Sequence, residues 1–135
     1  MQPSAPAAPV SKPISKKVLW TSYILSALPV LVLLFSGSMK FTHSPDLAKG
    51  FDHLGWPLSL AVPLGILEIT CAILYAIPRT SVLGAILVAA YMGGAVATHV
   101  RIGEPPYVQI LIGVLVWGGL YLRDSRLRAL LPLRS

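Results

Sequence analysis

Glu68 is the single acid inside a long, otherwise uncharged apolar run, Pro57 to Pro78, which reads PLSLAVPLGILEITCAILYAIP. An ionised carboxylate at membrane depth is expensive and rarely faces lipid, so Glu68 is expected to be protonated or paired. Two functional chemistries suit such a group: relaying a proton, or hydrogen-bonding a quinone or other polar ligand. The structural alternative is a tie between helices, or a partner for backbone groups freed by the nearby Pro63. A second set of polar residues lies at the ends of neighbouring apolar runs: Lys40 after VLWTSYILSALPVLVLLFSGSM, and His99 and Arg101 at the end of SVLGAILVAAYMGGAVATHVR. Together they would make a basic cluster at one membrane interface, with His99 able to titrate near neutral pH. The plainer reading has Lys40 and Arg101 snorkelling to water, and for Lys40 this is the preferred one. Glu68 and His99 differ in depth by on the order of 10 Å on ideal helices, so direct contact is not expected without a water chain or a helix broken at Pro63.

Other chemistries lack their residues. Haem or di-iron sites in helical bundles need inward ligand pairs such as two His or Glu-x-x-His, and only one histidine lies near membrane depth. Cys71 is the single cysteine, which permits no internal disulfide and no Cys-based metal site, and it reads as an inert buried thiol. No phosphate-binding glycine loop, nucleophile elbow or HExxH motif is present. No metal, no cofactor of the chain's own and no catalytic set are therefore expected.

The elements that must position Glu68 follow from composition. The 135 residues are 55% hydrophobic and 12% charged, with a mean hydropathy of +0.73. That is too apolar for a soluble domain of this size, which must cover its surface with polar groups. The net charge of +6 would suit nucleic acid only as a patch on a soluble face; here the bases gather at chain ends and loops, so the expected partner is the lipid bilayer, and no nucleic acid. Residues 1–17 read as a disordered tail rich in Pro, Ala and Ser. Four spans follow, about 18–39, 57–78, 81–100 and 107–122, and residues 123–135 form a basic tail. Strands compete for apolar runs, but these are long, lack alternation and are apolar all round, as membrane helices are. A basic stretch before an apolar run also fits a signal peptide, but the first run is too long and lacks a clear cleavage site.

The predicted fold is all-α, an integral-membrane four-helix antiparallel bundle spanning residues 18–122. Eight of the eleven basic residues (Lys12, Lys16, Lys17, Arg79, Arg123, Arg126, Arg128, Arg134) fall on one side and three (Lys40, Lys49, Arg101) on the other, which puts both termini in the cytoplasm. Span three carries Ala85, Ala89, Gly93 and Ala97 at i, i+4 spacing, with Ala90, Gly94 and Thr98 beside them, a small-residue seam that lets helices approach closely. It is expected to be the central helix, packed within the bundle, with a homo-oligomer through the same seam as the alternative. Gly113, Gly118 and Gly119 suggest the same for span four. Pro29 and Pro63 predict kinks or local breaks.

Several of these features together resemble the DoxX-like family of small four-helix bacterial membrane proteins. The resemblance runs roughly from Gly37 to Pro132. Its most specific parts are Gly37-Ser38-Met39-Lys40-Phe41, Gly65-x-x-Glu68, Pro78-Arg79, the stretch Gly93-Gly94-Ala95-x-Ala97-Thr98-His99-x-Arg101, and the exit Leu122-Arg123-Asp124. The resemblance implies the bacterial inner membrane, and an accessory subunit or adaptor of a quinone-linked redox system, with quinone as the bound ligand and a redox enzyme as partner. The family's recurrent polar positions correspond to Lys40, Glu68, His99 and Arg101. The alternatives are a small-molecule carrier or sensor using Glu68 as a proton site, and a purely structural assembly partner.

Overall fold

The computed structural model describes residues 3–7 and 13–130, and within them every regular element is helical. The elements are α1 (Lys16–Met39), α2 (Pro45–Leu54), a single 3-10 turn (Leu58–Leu60), α3 (Ala61–Ala76), α4 (Ser81–Arg101), α5 (Tyr107–Arg123) and α6 (Ser125–Leu130). Residues 1–2 and 8–12 of the expected tail, Lys12 among them, and 131–135 with Pro132 and Arg134, lie outside the described residues.

Local chemistry sets the helix boundaries. Ser15 caps α1, its hydroxyl accepting from the Val18 amide at 3.3 Å. Pro29 lies inside α1, yet the helix runs on through it. Around Pro63 the expected break is displaced towards the N-terminus: a 3-10 turn precedes α3, and Pro63 falls in the first turn of the helix, where its missing N–H costs nothing. The second span is therefore shorter as an α-helix than the predicted 57–78. The polar segment after α1 also folds as a helix, α2. Ser44 caps it, accepting from Leu47 N at 3.2 Å, Pro45 opens it, and Gly55 ends it in the left-handed conformation at φ 72°.

Helices α1, α3, α4 and α5 pack as a square in which α1 touches α3 and α5, and α4 touches the same two. Contacts such as Ser26 to Tyr75 and Tyr91 to Glu68 show that α3 runs antiparallel to both α1 and α4. No helix is central, which corrects the place expected for α4. Its small-residue row is corrected too. Ala85 is fully buried, Ala89 is half-buried, and Gly93 and Ala97 face outward. Successive i, i+4 positions rotate by about 40° around a 3.6-residue helix, so the row winds off the core face within three steps.

The close approaches lie at other glycines. A Cβ on Gly84 would stand 2.2 Å from the Tyr75 backbone nitrogen, joining α3 to α4. One on Gly65 would meet the Gly37 carbonyl at 2.9 Å, joining α1 to α3. One on Gly119 would strike the Ser26 hydroxyl at 2.4 Å, joining α1 to α5, whereas Gly113 and Gly118 have open space around them. The apolar core runs from Tyr75, Val88, Val116 and Leu120, towards the end where α1 begins, through Ala72 to Leu33, Met92 and Ile112. Outside it, Trp20, Leu31, Phe35, Ile66, Leu83 and Val114 are exposed in numbers suited to lipid rather than water. Three helical segments, Lys16–Met39, Leu58–Ala76 and Ser81–Arg101, are long and apolar enough to cross a membrane, and Tyr107–Arg123 is a shorter apolar helix.

Candidate functional site

The site is built where two glycines let α1 and α3 touch. Gly37 and Gly65 face each other, and one turn further along each helix stand Lys40 and Glu68. A side chain at position 65 would press on the Lys40 Cβ at 3.1 Å and the Phe41 ring at 3.0 Å. Its absence lets Lys40, at the C-cap of α1, turn inward rather than out to water. The Lys40 ammonium donates to Glu68 Oε2 at 2.5 Å, to the Ser36 hydroxyl at 3.1 Å and to the Ser36 carbonyl at 3.4 Å. Those contacts occupy its three donors. The snorkelling preferred for Lys40 is thus replaced by an ion pair whose acid is 3% and whose base is 15% exposed.

Tyr91 on α4 completes the cluster by donating its hydroxyl to the same Oε2 at 3.0 Å. Both contacts fall on one carboxylate oxygen, leaving Oε1 as the acceptor available to a bound molecule. These groups form one wall of a cavity of about 530 Å³ enclosed by α1, α3, α4 and α5. Leu33, Leu64, Met92 and Ile112 supply apolar surface, and Phe51, Leu54 and Trp56 close the end nearer α2. The volume falls in the range of small-molecule sites, and the lining has their usual character, apolar with a few convergent polar groups.

His99 lines the same cavity from α4. Its Nδ1 is 2.9 Å from the Ala95 carbonyl, and Gln109 Nε2 on α5 is 3.3 Å from both ring nitrogens. With Nδ1 donating to Ala95, Nε2 accepts from Gln109. His99 and Glu68 thus share a cavity but have separate partners, in keeping with their difference in depth. Arg101 is not brought to them. Its guanidinium donates to the Leu54 carbonyl and lies 5.9 Å from the Trp56 ring centre, while His53 and Glu104 pair at 2.5 Å. These contacts fasten α2 across the cavity end.

Tyr91, Ser36 and Gln109 are not among the site residues expected from the sequence, because hydroxyl and amide groups are common in membrane helices and carry no charge signal. The signal for Tyr91 was nonetheless present: it lies on the inward face with Val88 and Thr98, both buried. Among the described residues, no three His, Cys, Asp or Glu side chains come together as a metal site.

An all-helical bundle with outward apolar faces, several membrane-length helices and a buried ion pair defines a multi-pass membrane protein with an internal cavity. The chain matches the model of the DoxX-like family over residues 24–119 and belongs to that family. The match begins before the first motif read from the sequence, takes in Lys40, Glu68, His99 and Arg101, and ends before the Leu122-Arg123-Asp124 exit. No curated protein and no solved structure matches the chain.

Proposed function

We propose that the protein is a four-span accessory subunit of a quinone-linked redox system in the bacterial inner membrane, and that the cavity beside Glu68 receives the quinone head group. The single observation that carries this reading is the Lys40–Glu68–Tyr91 cluster on the wall of a largely apolar cavity of about 530 Å³. A head group of this class needs flat apolar surroundings and a hydrogen-bond partner for each oxygen. Glu68 Oε1 accepts from a hydroxyl of the reduced form, and the Gln109 amide offers a donor to an oxygen. The quinone supplies the redox chemistry; Glu68 holds or accepts a proton at Oε1, and α2 with Trp56 keeps water from the cavity end. A redox-enzyme subunit is the proposed partner.

The experiment is solvent extraction of the detergent-purified protein for quinone, paired with quinol-dependent oxygen uptake by membranes carrying wild type or Glu68→Gln. Co-purified quinone, and slower uptake in the variant, are expected. Absence of quinone with unchanged uptake overturns the reading, and a loss of thermal stability alone would leave Glu68 as bundle architecture.

A further inference from the structure

A second cavity, of about 640 Å³, opens at the opposite end of the bundle, between α1, α3 and the junction of α5 with α6. Arg123, the last residue of α5, reaches into it half-buried. Its guanidinium donates to the Ser26 hydroxyl and lies 5.8 and 5.6 Å from the ring centres of Tyr23 and Tyr75. Ser26 and Tyr75 are linked at 2.8 Å, and the Tyr75 hydroxyl donates to the Val116 carbonyl at 2.7 Å. Because Tyr75 spends its proton on Val116, Ser26 must donate to Tyr75 and accept from Arg123. The guanidinium is thereby held in one orientation with one of its five donors spent on Ser26.

No carboxylate among the described residues lies within 4.0 Å of that guanidinium. Asp124, the acid in the cavity wall, is turned to α6: its Oδ1 accepts from the amides of Arg126 at 2.9 Å and Leu127 at 3.3 Å. Arg126, in the same wall, is 91% exposed and 3.9 Å from Asp124. The wall therefore carries two guanidinium groups against one committed carboxylate. A positioned cation at a membrane boundary without a counter-charge is costly unless an anion or water meets it. An arginine fork matches phosphate oxygens in pairs, and basic pockets between membrane helices suit anionic head groups. Tyr23, itself half-exposed, stands one turn from the exposed Trp20, so apolar surface adjoins the cavity mouth.

We propose that this cavity binds a phosphate group, with Arg123 as its principal donor and Arg126 as the second. The group reaches it either as the head of an anionic phospholipid or as free phosphate. The site is independent of the Glu68 cavity. The test measures the thermal midpoint of the delipidated full chain in neutral detergent, on titration with phosphatidylglycerol micelles, phosphatidylcholine micelles or inorganic phosphate. Wild type should be stabilised by phosphatidylglycerol and not by phosphatidylcholine. Arg123→Gln and Arg126→Gln should each need about tenfold more ligand or above, the effect of one charge-assisted hydrogen bond. Arg79→Gln removes one exposed charge at the same end of the bundle, outside the cavity wall, and should respond as wild type does. Equal stabilisation by inorganic phosphate would identify the free ion as the ligand. No response to either phosphate source beyond that to phosphatidylcholine overturns the proposal, as does a response of Arg126→Gln equal to wild type. Arg126 takes no part in the Ser26–Tyr75 network, so this last comparison survives even if Arg123→Gln fails to fold.

Discussion

Lys40 and Glu68 illustrate how a charge becomes tolerable at membrane depth. Neither would be stable there alone, and breaking a buried pair by removing one partner costs about 3–5 kcal/mol, far more than removing both. Lys40→Met should therefore lower the thermal midpoint in detergent more than the double variant Lys40→Met with Glu68→Gln does, since the double variant leaves no orphan charge. A thermal scan of the three proteins decides it: if the double variant is the less stable one, the pair is not what shields the acid. Glu68 itself was legible as a site in the sequence, because it is the single acid in a run of 22 residues that is otherwise uncharged. Its partner was not. Lys40 follows an apolar run, where a lysine ordinarily snorkels; its inward turn depends on the space left by Gly65 on another helix, and that contact is invisible along the chain.

At the scale of elements, close helix contact is decided by where a missing Cβ falls, not by how many small residues a helix carries. The α4 seam has the richer pattern, but Gly93 meets nothing within 4 Å, whereas a Cβ on Gly84 would overlap the Tyr75 backbone. Backbone cannot yield as a flexible side chain can, so Gly84→Ala should destabilise the bundle by about 1–3 kcal/mol or more. Gly93→Ala should be neutral or add up to about 1 kcal/mol through helix propensity. Thermal unfolding of the two variants separates the cases, and equal effects would refute this assignment of contacts. Helix existence was legible because apolar runs of this length have one stable form in lipid. Helix faces were not, since i, i+4 rows drift around the axis. The α2 helix carried explicit signals in Ser44, Pro45 and Gly55, but a short polar segment between spans does not announce its structure by hydropathy. Once formed, α2 buries Phe51 and is held by Arg101 through the Leu54 carbonyl, so a residue grouped with His99 in the sequence serves the closure of the cavity end instead.

For the whole molecule the decisive asymmetry is electrostatic. The end where α1 begins and α5 ends carries Lys16, Lys17, Arg79, Arg123, Arg126 and Arg128 among the described residues, with Asp124 as its acid. The other end carries Lys40, Lys49 and Arg101, and the remaining acids, Asp46, Asp52, Glu68 and Glu104, lie at or towards it. Lys40 is neutralised by Glu68, so little free positive charge remains there to oppose translocation. Because basic residues in short loops stay in the cytoplasm, we propose that the end with Lys16 and Arg123 faces inward. The least secure crossing is α5, whose 17 residues rise about 25 Å against a hydrocarbon core of about 30 Å. A shortfall of that size can be met by local thinning of the bilayer or by flanking residues that reach the interface. The packing of α5 along both α1 and α4 is itself an argument for a full crossing, because a helix lying in the interface could not follow two spans through their length. Topology reporters fused after Arg79, Arg101 and Ser135 should read cytoplasmic, periplasmic and cytoplasmic. A periplasmic reading after Ser135 alone would show that α5 does not cross, while reversal of all three would show that the loop charges do not set the orientation.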